Sequence, residues 1–482
     1  MASGAAELEA VIGLEIHVQL ATRTKMFCGC ELSFGDAPNT HTCPVCLAHP
    51  GVLPVPNEQA ILYALQIAAA LECEVAPRSI FHRKNYFYPD SPKAYQISQF
   101  DIPLASNGKL GDIRIHRAHL EEDAAKMIHV GESGRIHGSG ASLVDFNRGG
   151  TPLVEIVTEP DLRGAAEAAA WARLLRETVR QLGVSDVNME EGSLRVDANV
   201  SVRAPGSETL GTKTELKNMN SFRFLQRGVE AELVRQRELI AAGGTVTQET
   251  LHFDPVSGSL TSLRSKEESH DYRYFPEPDL VALAPTEQIL REASEALPEL
   301  PVARIERYES LGLAGDVAAG LAGDPETAAY FERTNAAAAA VEPKIVANWV
   351  TGELAAALRQ GDEEVAATDS KVEPESFAAL VALVQEKKIS HGSGKAVLAT
   401  MVAEGGDPAA IVEREGLAQI SDSGELEAIV AAAVEANPRA AEEIREGNAK
   451  AIGAIVGAVM KETKGRADGG EVDRLIRARL GL

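Results

Sequence analysis

The sequence predicts an α+β protein in which a sheet-bearing N-terminal domain precedes an all-α helical domain and a small all-α tail. Two observations support this prediction: apolar and polar residues alternate repeatedly before residue 290, and beyond it the chain is alanine-rich with a helical pattern. A chain of 482 residues has room for roughly two to four domains. We therefore predict domains at residues 1–290, 291–405 and 406–482.

The alternation is clearest in two segments of the N-terminal domain. In residues 11–20 the even positions are all apolar, and the odd positions include a glutamate, a histidine and a glutamine. Residues 193–203 repeat the pattern. Successive side chains of a strand point to opposite faces, so each segment should bury one face only. Helical patterns over residues 165–182 and 222–242 intervene, and we expect a mainly antiparallel sheet with one strongly polar face and flanking helices.

The composition is that of an acidic globular protein. There are 47 Lys and Arg against 71 Asp and Glu, a net charge of −24. This acidity argues against binding of nucleic acid by bulk attraction, because such domains are usually basic. The charge is uneven, however: residues 291–440 hold 12 basic and 26 acidic groups, whereas residues 441–482 hold 8 and 7. Local contacts between the tail and a nucleic acid are therefore compatible with the composition.

A cytoplasmic protein with no membrane partner is expected. The N-terminus lacks the basic and apolar regions of a signal peptide. The longest apolar runs are far shorter than the ~20 residues that cross a bilayer. Five cysteines are also too few for a disulfide framework in a chain of this length.

Four of the five cysteines form two close pairs. Twelve residues separate a Cys-x-Cys pair from a Cys-x-x-Cys pair, and the four cysteines are Cys28, Cys30, Cys43 and Cys46. Two short turns that carry four thiolates suit a closed tetrahedral Zn²⁺ site, which would be structural rather than catalytic. The alternative is four unrelated buried thiols; His41 and His49 are rival ligands, although two complete pairs need no other.

Several carboxylates and a histidine suggest a second metal site. The candidates are Glu15 and His17 in the first predicted strand, the adjacent Glu121 and Glu122, and Glu155 within an apolar strand-like run. A buried carboxylate is costly unless it is paired or binds a metal, and this donor set suits Mg²⁺ or Mn²⁺. The alternative is a set of separate ion pairs, such as Glu155 with Arg148.

Aromatic and basic residues cluster in two segments, residues 84–99 and 271–279, which hold five of the eight tyrosines. Aromatic rings beside Lys or Arg can stack on bases or hold a phosphate. The candidate substrate-binding side chains are Lys84, Tyr86, Tyr88, Tyr272 and Arg273. The alternative is a packing cluster of rings beneath a proline-rich loop.

Long motifs run through most of the chain. The segment LVDFNRGGTPLVEIVT spans residues 143–158, and shorter motifs lie at residues 11–18, 84–99, 189–195, 215–218, 271–279, 348–349, 419–422 and 456–461. Together they resemble the GatB/GatE family, the B subunits of tRNA-dependent amidotransferases.

The resemblance implies a cradle-like catalytic domain, a helical domain and a YqeY-like tail that holds the tRNA. It implies a heterotrimer with an amidase-type A subunit (GatA), which releases ammonia from glutamine, and a small C subunit (GatC). The B subunit would use ATP to phosphorylate the side-chain carboxylate of Glu on tRNA(Gln) or of Asp on tRNA(Asn). Ammonia would then displace phosphate from the acyl phosphate, so the complex would act as a glutamine-hydrolysing carbon–nitrogen ligase.

The resemblance also assigns roles to the candidate residues. Divalent metal would offset the charge of ATP, and its candidate ligands are Glu15, His17, Glu155 and one of Glu121 and Glu122, with Glu122 preferred. Arg195 and Lys217 would stabilise the acyl phosphate. The residues expected to position the 3′ end of the tRNA are Tyr86, Tyr88 and Tyr272. In the tail, the tRNA-binding candidates are Lys450, Lys461, Lys464 and Arg466.

Two other functional classes stay open. The first is a non-catalytic, zinc-containing tRNA-binding adaptor of an amidotransferase complex, in which the acidic cluster is structural. The second, a free-standing ATP-dependent ligase for small amino acids, is less favoured because no ATP-grasp or Walker pattern stands alone in the sequence. For the preferred function, both misacylated tRNAs fit as substrates.

Overall fold

The computed structural model describes the chain in two compact units, Met1–Val302 and Ala303–Leu482. The described residues are 8–130, 139–217, 219–264, 272–359, 365–419, 423–446, 448–463 and 466–482. The first unit is rich in strands with flanking helices, and the second is helical. The predicted α+β architecture is therefore confirmed. Within the described ranges, no helix is long and apolar enough to cross a membrane.

The strands of the first unit are short except for three that cross the centre of the main sheet. They are β1 (Glu9–Gln19), β2 (Glu74–Val75), β3 (His82–Asn85), β4 (Tyr95–Ser98), β5 (Ala105–Leu110), β6 (Ile113–Glu122), β7 (Lys126–Val130), β8 (Ala141–Asp145), β9 (Pro152–Thr158), β10 (Leu194–Arg203), β11 (Thr214–Lys217), β12 (Thr250–Phe253), β13 (Leu260–Arg264) and β14 (Phe275–Pro276). The long strands are β1, β6 and β10.

The main sheet runs in the order β13-β12-β11-β10-β1-β9-β6-β5-β2. Its described neighbours pair antiparallel except β11 with β12, which are parallel. Strands β14, β3 and β4 form a small second sheet, and β7 pairs with β8 in an antiparallel two-stranded sheet. The order places β1 and β9, which are distant in sequence, side by side at the centre.

One face of the main sheet builds the core of the first unit. Ile12, Leu14, Ile16 and Val18 of β1 are almost fully buried, as are Leu194, Val196, Ala198 and Val200 of β10. These side chains pack in one cluster with residues of α1 (Glu58–Ala70), α2 (Ala165–Leu182) and α3 (Phe222–Ala241). Burial of one face thus confirms the alternation seen in the sequence and leaves the other face to polar side chains.

The second unit is built from helices. After α4 (Glu287–Glu295) in the first unit, they are α5 (Pro301–Ser310), α6 (Gly315–Ala322), α7 (Pro325–Ala337), α8 (Pro343–Asn348), a π-helical turn (Trp349–Leu354), α9 (Ala355–Leu358), α10 (Pro374–Gln385), α11 (His391–Glu404), α12 (Pro408–Glu415), α13 (Ser423–Ala436), α14 (Pro438–Arg445), α15 (Ile452–Glu462) and α16 (Gly469–Leu480), with 3₁₀ turns at Ala367–Asp369 and Ala449–Ala451. Proline at the first position begins several of them, where its missing N–H costs no hydrogen bond.

Two separate clusters of buried residues lie within the second unit. One extends from Tyr308 to Ile411, and the other from Leu426 to Leu480. The predicted boundary at residue 405 falls between α11 and α12, and Ile411 of α12 packs with the first cluster.

Candidate active site on the polar face of the sheet

A row of polar side chains crosses four adjacent strands of the main sheet. Strand pairing places His17 of β1 opposite Arg195 of β10 and opposite Glu155 of β9. Glu155 in turn lies opposite His119 of β6. Because alternate residues of a strand share a face, Glu121 projects from the same side of β6 as His119. The polar face expected from the sequence is thus assembled from strands that lie far apart in the chain.

His17, Glu121 and Glu155 form a group with the geometry of a metal site. One imidazole nitrogen and two carboxylate oxygens lie within 4.8 Å of one another. Nε2 of His17 is 3.4 Å from Oε1 of Glu121 and 3.7 Å from Oε2 of Glu155. Two carboxylates and one imidazole suit a divalent cation such as Mn²⁺ or Mg²⁺. The donor set therefore fits the metal that the resemblance implies.

His119 is the site residue to which the sequence interpretation assigned no role. Its side chain is 2% exposed, and its Nε2 lies 3.2 Å from Oε2 of Glu155 and 3.9 Å from Oε2 of Glu121. No described residue gives its buried Nδ1 a hydrogen-bond partner. The position of His119 two residues before Glu121 was the available signal, because the period of a strand places both side chains on one face.

Neighbouring side chains keep the Glu155 carboxylate ionised. Burial alone would raise the pKa of Glu155, but His119, His17 and Lys84 together lower it well below its ordinary value. Burial would lower the pKa of Lys84, and the carboxylates of the metal-ligand group outweigh it and raise that pKa. The sequence left Arg148 open as a partner of Glu155. In the structure Arg148 lies instead beside Asp123, directly after β6, with its Nε 3.6 Å from Oδ2 of Asp123.

Two of the predicted metal ligands lie outside the three-residue group. Glu122 lines the same cavity as Glu121, but its carboxylate pairs with Lys93 and accepts a hydrogen bond of 2.9 Å from a backbone N–H of β4. Glu15 lies on the polar face, and its Oε1 accepts a hydrogen bond of 2.8 Å from Nδ2 of Asn199. Of the adjacent pair, the structure thus brings Glu121, rather than the preferred Glu122, to the metal-ligand group.

A cavity of about 370 Å³ opens over this face of the sheet. His17 and Glu121 line it, and Lys84, Arg195 and Lys217 bring positive charge to its walls. Lys93 lines it as well, so the cavity combines acidic metal ligands with four cations and can bind phosphate groups through both.

Carboxylates orient two of these cations. Nζ of Lys217 lies 2.6 Å from Oδ2 of Asp197. Burial would lower the pKa of Lys217, but Asp197 and the neighbouring Glu215 raise it above its ordinary value. Nη2 of Arg195 lies 3.0 Å from Oδ2 of Asp123. Lys217 therefore stays charged at neutral pH, and Asp123 holds one nitrogen of Arg195.

The aromatic segments form part of the cavity wall. Tyr86 and Tyr272 line the cavity, and Nζ of Lys84 lies 4.9 Å from the centre of the Tyr272 ring. The rings of Tyr86 and Tyr88 are adjacent, with centroids 5.8 Å apart, but Tyr88 and Arg273 lie outside the cavity lining. The structure thus brings three of the five predicted substrate-binding side chains to the cavity.

The four paired cysteines come together in the structure. Their sulfurs lie within 4.8 Å of one another, and all four cysteines are free. A hydrogen bond from the Cys28 thiol is the main cause that lowers the pKa of Cys46 to about 4, and Lys25, whose Nζ lies 3.8 Å from the same sulfur, adds to this effect. A closed set of four thiol ligands, one of which ionises readily, fits a structural Zn²⁺ ion.

The cations predicted to bind tRNA lie in the tail. Lys450 and Lys461 are exposed. Arg466 is half-buried, and its Nε donates a hydrogen bond of 3.1 Å to the carbonyl of Thr463. Lys464 lies outside the described residues, as do Asn218, Asp271 and residues 420–422 of the sequence motifs.

The chain is similar to known proteins over nearly its whole length. The family model described as the GatB/GatE catalytic domain matches residues 10–291, and the one described as the GatB domain matches residues 329–480. Three relatives are named as the B subunit of aspartyl/glutamyl-tRNA(Asn/Gln) amidotransferase. The relative from Brevibacillus brevis is 49% identical over 479 residues, which cover 97% of this chain and 98% of the relative. The relative from Geobacter sulfurreducens is also 49% identical, over 98% of this chain and 99% of the relative. The relative from Moorella thermoacetica is 49% identical over 98% of this chain and 100% of the relative. Identity at this level over almost the full length confirms the resemblance, and the chain belongs to the GatB/GatE family of amidotransferase B subunits.

Proposed function

We propose that this chain carries the kinase and transamidase site of a tRNA-dependent amidotransferase. It converts Glu-tRNA(Gln), Asp-tRNA(Asn) or both to the amidated aminoacyl-tRNAs, with ATP as the phosphoryl donor. The main support is the meeting of a metal-ligand group with Lys84, Arg195 and Lys217 around one cavity. The names of the relatives support the same reaction class.

The chemistry requires such a site because a carboxylate is a poor acceptor for ammonia. An oxygen of the aminoacyl side chain attacks the γ-phosphorus of ATP, ADP leaves, and an acyl phosphate forms. Ammonia then adds to the acyl carbon, phosphate leaves with the C–O bond electrons, and a proton departs from nitrogen to give the amide. Both steps move negative charge between phosphate oxygens, so fixed positive charge stabilises them.

Three groups of residues have distinct roles in this scheme. The metal-ligand group of His17, Glu121 and Glu155 would hold a divalent cation, which offsets the charge of the ATP phosphates when bound. Arg195 and Lys217 bind the acyl phosphate oxygens by charge-assisted hydrogen bonds. Lys84 lies between the acidic group and the aromatic wall, so its ammonium contacts the transferred phosphate.

The aromatic wall orients the aminoacylated 3′ end. Tyr86 and Tyr272 offer ring faces to bases at the cavity edge. Lys450, Lys461, Lys464 and Arg466 of the tail bind the tRNA backbone locally, which the near-neutral charge of residues 441–482 permits.

Partner subunits supply the ammonia for the reaction. An amidase-type A subunit releases ammonia from glutamine, and a small C subunit completes a heterotrimer. The group of four cysteines holds Zn²⁺ as a structural element, because a closed tetrahedral site leaves no position for substrate.

The proposal is tested with Glu155→Gln in the assembled complex. We expect ATP hydrolysis dependent on Glu-tRNA(Gln) to fall by about 100-fold or more, because loss of metal-ion catalysis costs several kcal/mol. Glu159→Gln is the matched control, since Glu159 directly follows β9 and pairs with His116 outside the cavity lining. If Glu155→Gln hydrolysed ATP at the wild-type rate while tRNA binding persisted, the chain would be a non-catalytic tRNA-binding adaptor instead.

A further inference from the structure

Asp123 lies where the end of β6 meets the proposed catalytic cavity. The residue is 6% exposed, and its carboxylate oxygen Oδ2 is surrounded by three side chains. Nη2 of Arg195 lies 3.0 Å away, Nε2 of Gln19 donates a hydrogen bond of 2.9 Å, and Nε of Arg148 lies 3.6 Å away. One buried carboxylate oxygen is therefore shared by two guanidinium groups and one amide.

The two arginines at this carboxylate are held differently. Arg148 is committed to the chain around it, because its Nε and Nη2 donate hydrogen bonds of 3.1 Å to the carbonyls of Ala124 and Ala125. Arg195 lines the cavity, and no described residue gives its buried Nε or Nη2 a hydrogen-bond partner, so Nη2 contacts Asp123 as an ion pair. The ion pair with Asp123 is therefore the contact that positions the Arg195 guanidinium at the cavity wall.

Backbone contacts make Asp123 a rigid support. Its N–H donates to the carbonyl of Thr151 and its carbonyl accepts from the N–H of Gly150, both at 2.8 Å. Its Oδ1 accepts a hydrogen bond of 2.9 Å from the N–H of Ala124. Both carboxylate oxygens are therefore fixed relative to β6 and to the loop that precedes β9.

The Arg195 side chain needs such a support if it is to stabilise a phosphate during the reaction. Ordering a long, rotamer-rich side chain costs about 1.5–2 kcal/mol, and a guanidinium misplaced by about 1 Å can cost about 100-fold in rate. The ion pair with Asp123 orders Arg195, which lines the cavity, before substrate arrives.

We propose that Asp123 is a positioning residue for the transfer reaction, which holds the Arg195 guanidinium where the acyl phosphate forms. This inference depends on the proposed function of Arg195. Asp123 acts through Arg195, so its removal should slow the chemical step and leave substrate binding largely unchanged.

A double-mutant cycle in the assembled complex tests the proposal. We expect Asp123→Asn to lower the kcat of transamidation by about 10- to 100-fold, as for other residues that orient a catalytic group, with the KM for misacylated tRNA within about twofold. In an Arg195→Ala background, the same change should lower kcat by less than about twofold, because coupled residues are not additive. Gln19→Met, which removes only the neutral donor to the same oxygen, is the matched control and should keep the wild-type kcat.

An equal loss of kcat from Asp123→Asn in both backgrounds would show an independent structural role and overturn the proposal. If Asp123→Asn has a lowered melting temperature, Asp123→Glu replaces it in the cycle. Asp123→Glu keeps the negative charge beside Arg148 but displaces the carboxylate from Arg195. Asp123→Glu should lower the kcat of the otherwise wild-type enzyme and should leave the kcat of the Arg195→Ala variant unchanged. Wild-type turnover of Arg195→Ala would remove Arg195 and Asp123 from the mechanism, whereas the proposed function itself fails only if Glu155→Gln stays active.

Discussion

Replacement of Glu121 by glutamine tests the metal-ligand group directly, because the adjacent Glu122, which pairs with Lys93 and lies outside that group, provides a matched control. Glu121 supplies one of the two carboxylates among three ligand groups that lie within 4.8 Å of one another. Glutamine keeps a ligand oxygen and removes one negative charge. Two unit charges about 4 Å apart interact by about 4 kcal/mol at the effective dielectric constant of a protein surface. We therefore expect Mn²⁺ affinity to fall by about 3 kcal/mol, or roughly 100-fold.

Mn²⁺ affinity is measured by isothermal titration calorimetry on the purified chain, and stability by denaturant unfolding without metal. Glu122→Gln should bind Mn²⁺ like the wild type. It should lose about 1–3 kcal/mol of stability, because the half-buried Lys93 ammonium then lacks its charged partner. Glu121→Gln should change the stability without metal by less, because relief of repulsion with Glu155 offsets the lost attraction to the Lys84 ammonium. If Glu122→Gln lost Mn²⁺ affinity and Glu121→Gln kept it, the assignment of Glu121 to the metal-ligand group would be refuted.

Three further outcomes are expected. Cys28→Ser should lose bound Zn²⁺ and have a lower melting temperature. Cys73→Ser, outside the group of four cysteines, should keep the zinc content and the melting temperature of the wild type. Elemental analysis and thermal unfolding measure these properties, and equal zinc content in the two variants would contradict the site. Lys84→Met should lower the kcat of transamidation by about 100-fold, because it removes a fixed charge at the transferred phosphate; a change in the KM for tRNA alone would place Lys84 in tRNA binding instead. Gly394→Ala should destabilise the helical unit by about 1–3 kcal/mol, because the added Cβ would lie 2.7 Å from Cγ2 of Val384 and 3.0 Å from Cη2 of Trp349. An unchanged free energy of unfolding would show that these two side chains shift to make room.

Local sequence patterns were sufficient for much of the fold. Helix α2 occupies the predicted residues 165–182, and β1 and β10 bury the apolar faces that the alternation predicted. The cysteine pairs converge because each pair is closed by a short turn, so the geometry of the four-thiol site depends on little beyond its own nineteen residues. These features follow from interactions between neighbours in the chain.

The choice between Glu121 and Glu122 shows where local patterns are insufficient. Alternation states that the two side chains point to opposite faces of β6, but both lie in a run that is buried on both sides. The face that matters is set by the pairing of β6 with β9, which places His119 opposite Glu155. The buried imidazole of His119 is part of the cluster for the same reason.

By itself the sequence determined the family, the strand and helix patterns and the set of chemically capable residues, because these depend on residue identity and on spacing along the chain. Only the tertiary structure decided which of them meet. It joined His17, Glu121 and Glu155 into one group, paired Glu122 with Lys93 and placed Asp123 under Arg195. The physical reason is that strand register between distant segments is selected by burial of whole faces of the sheet, which no single segment contains.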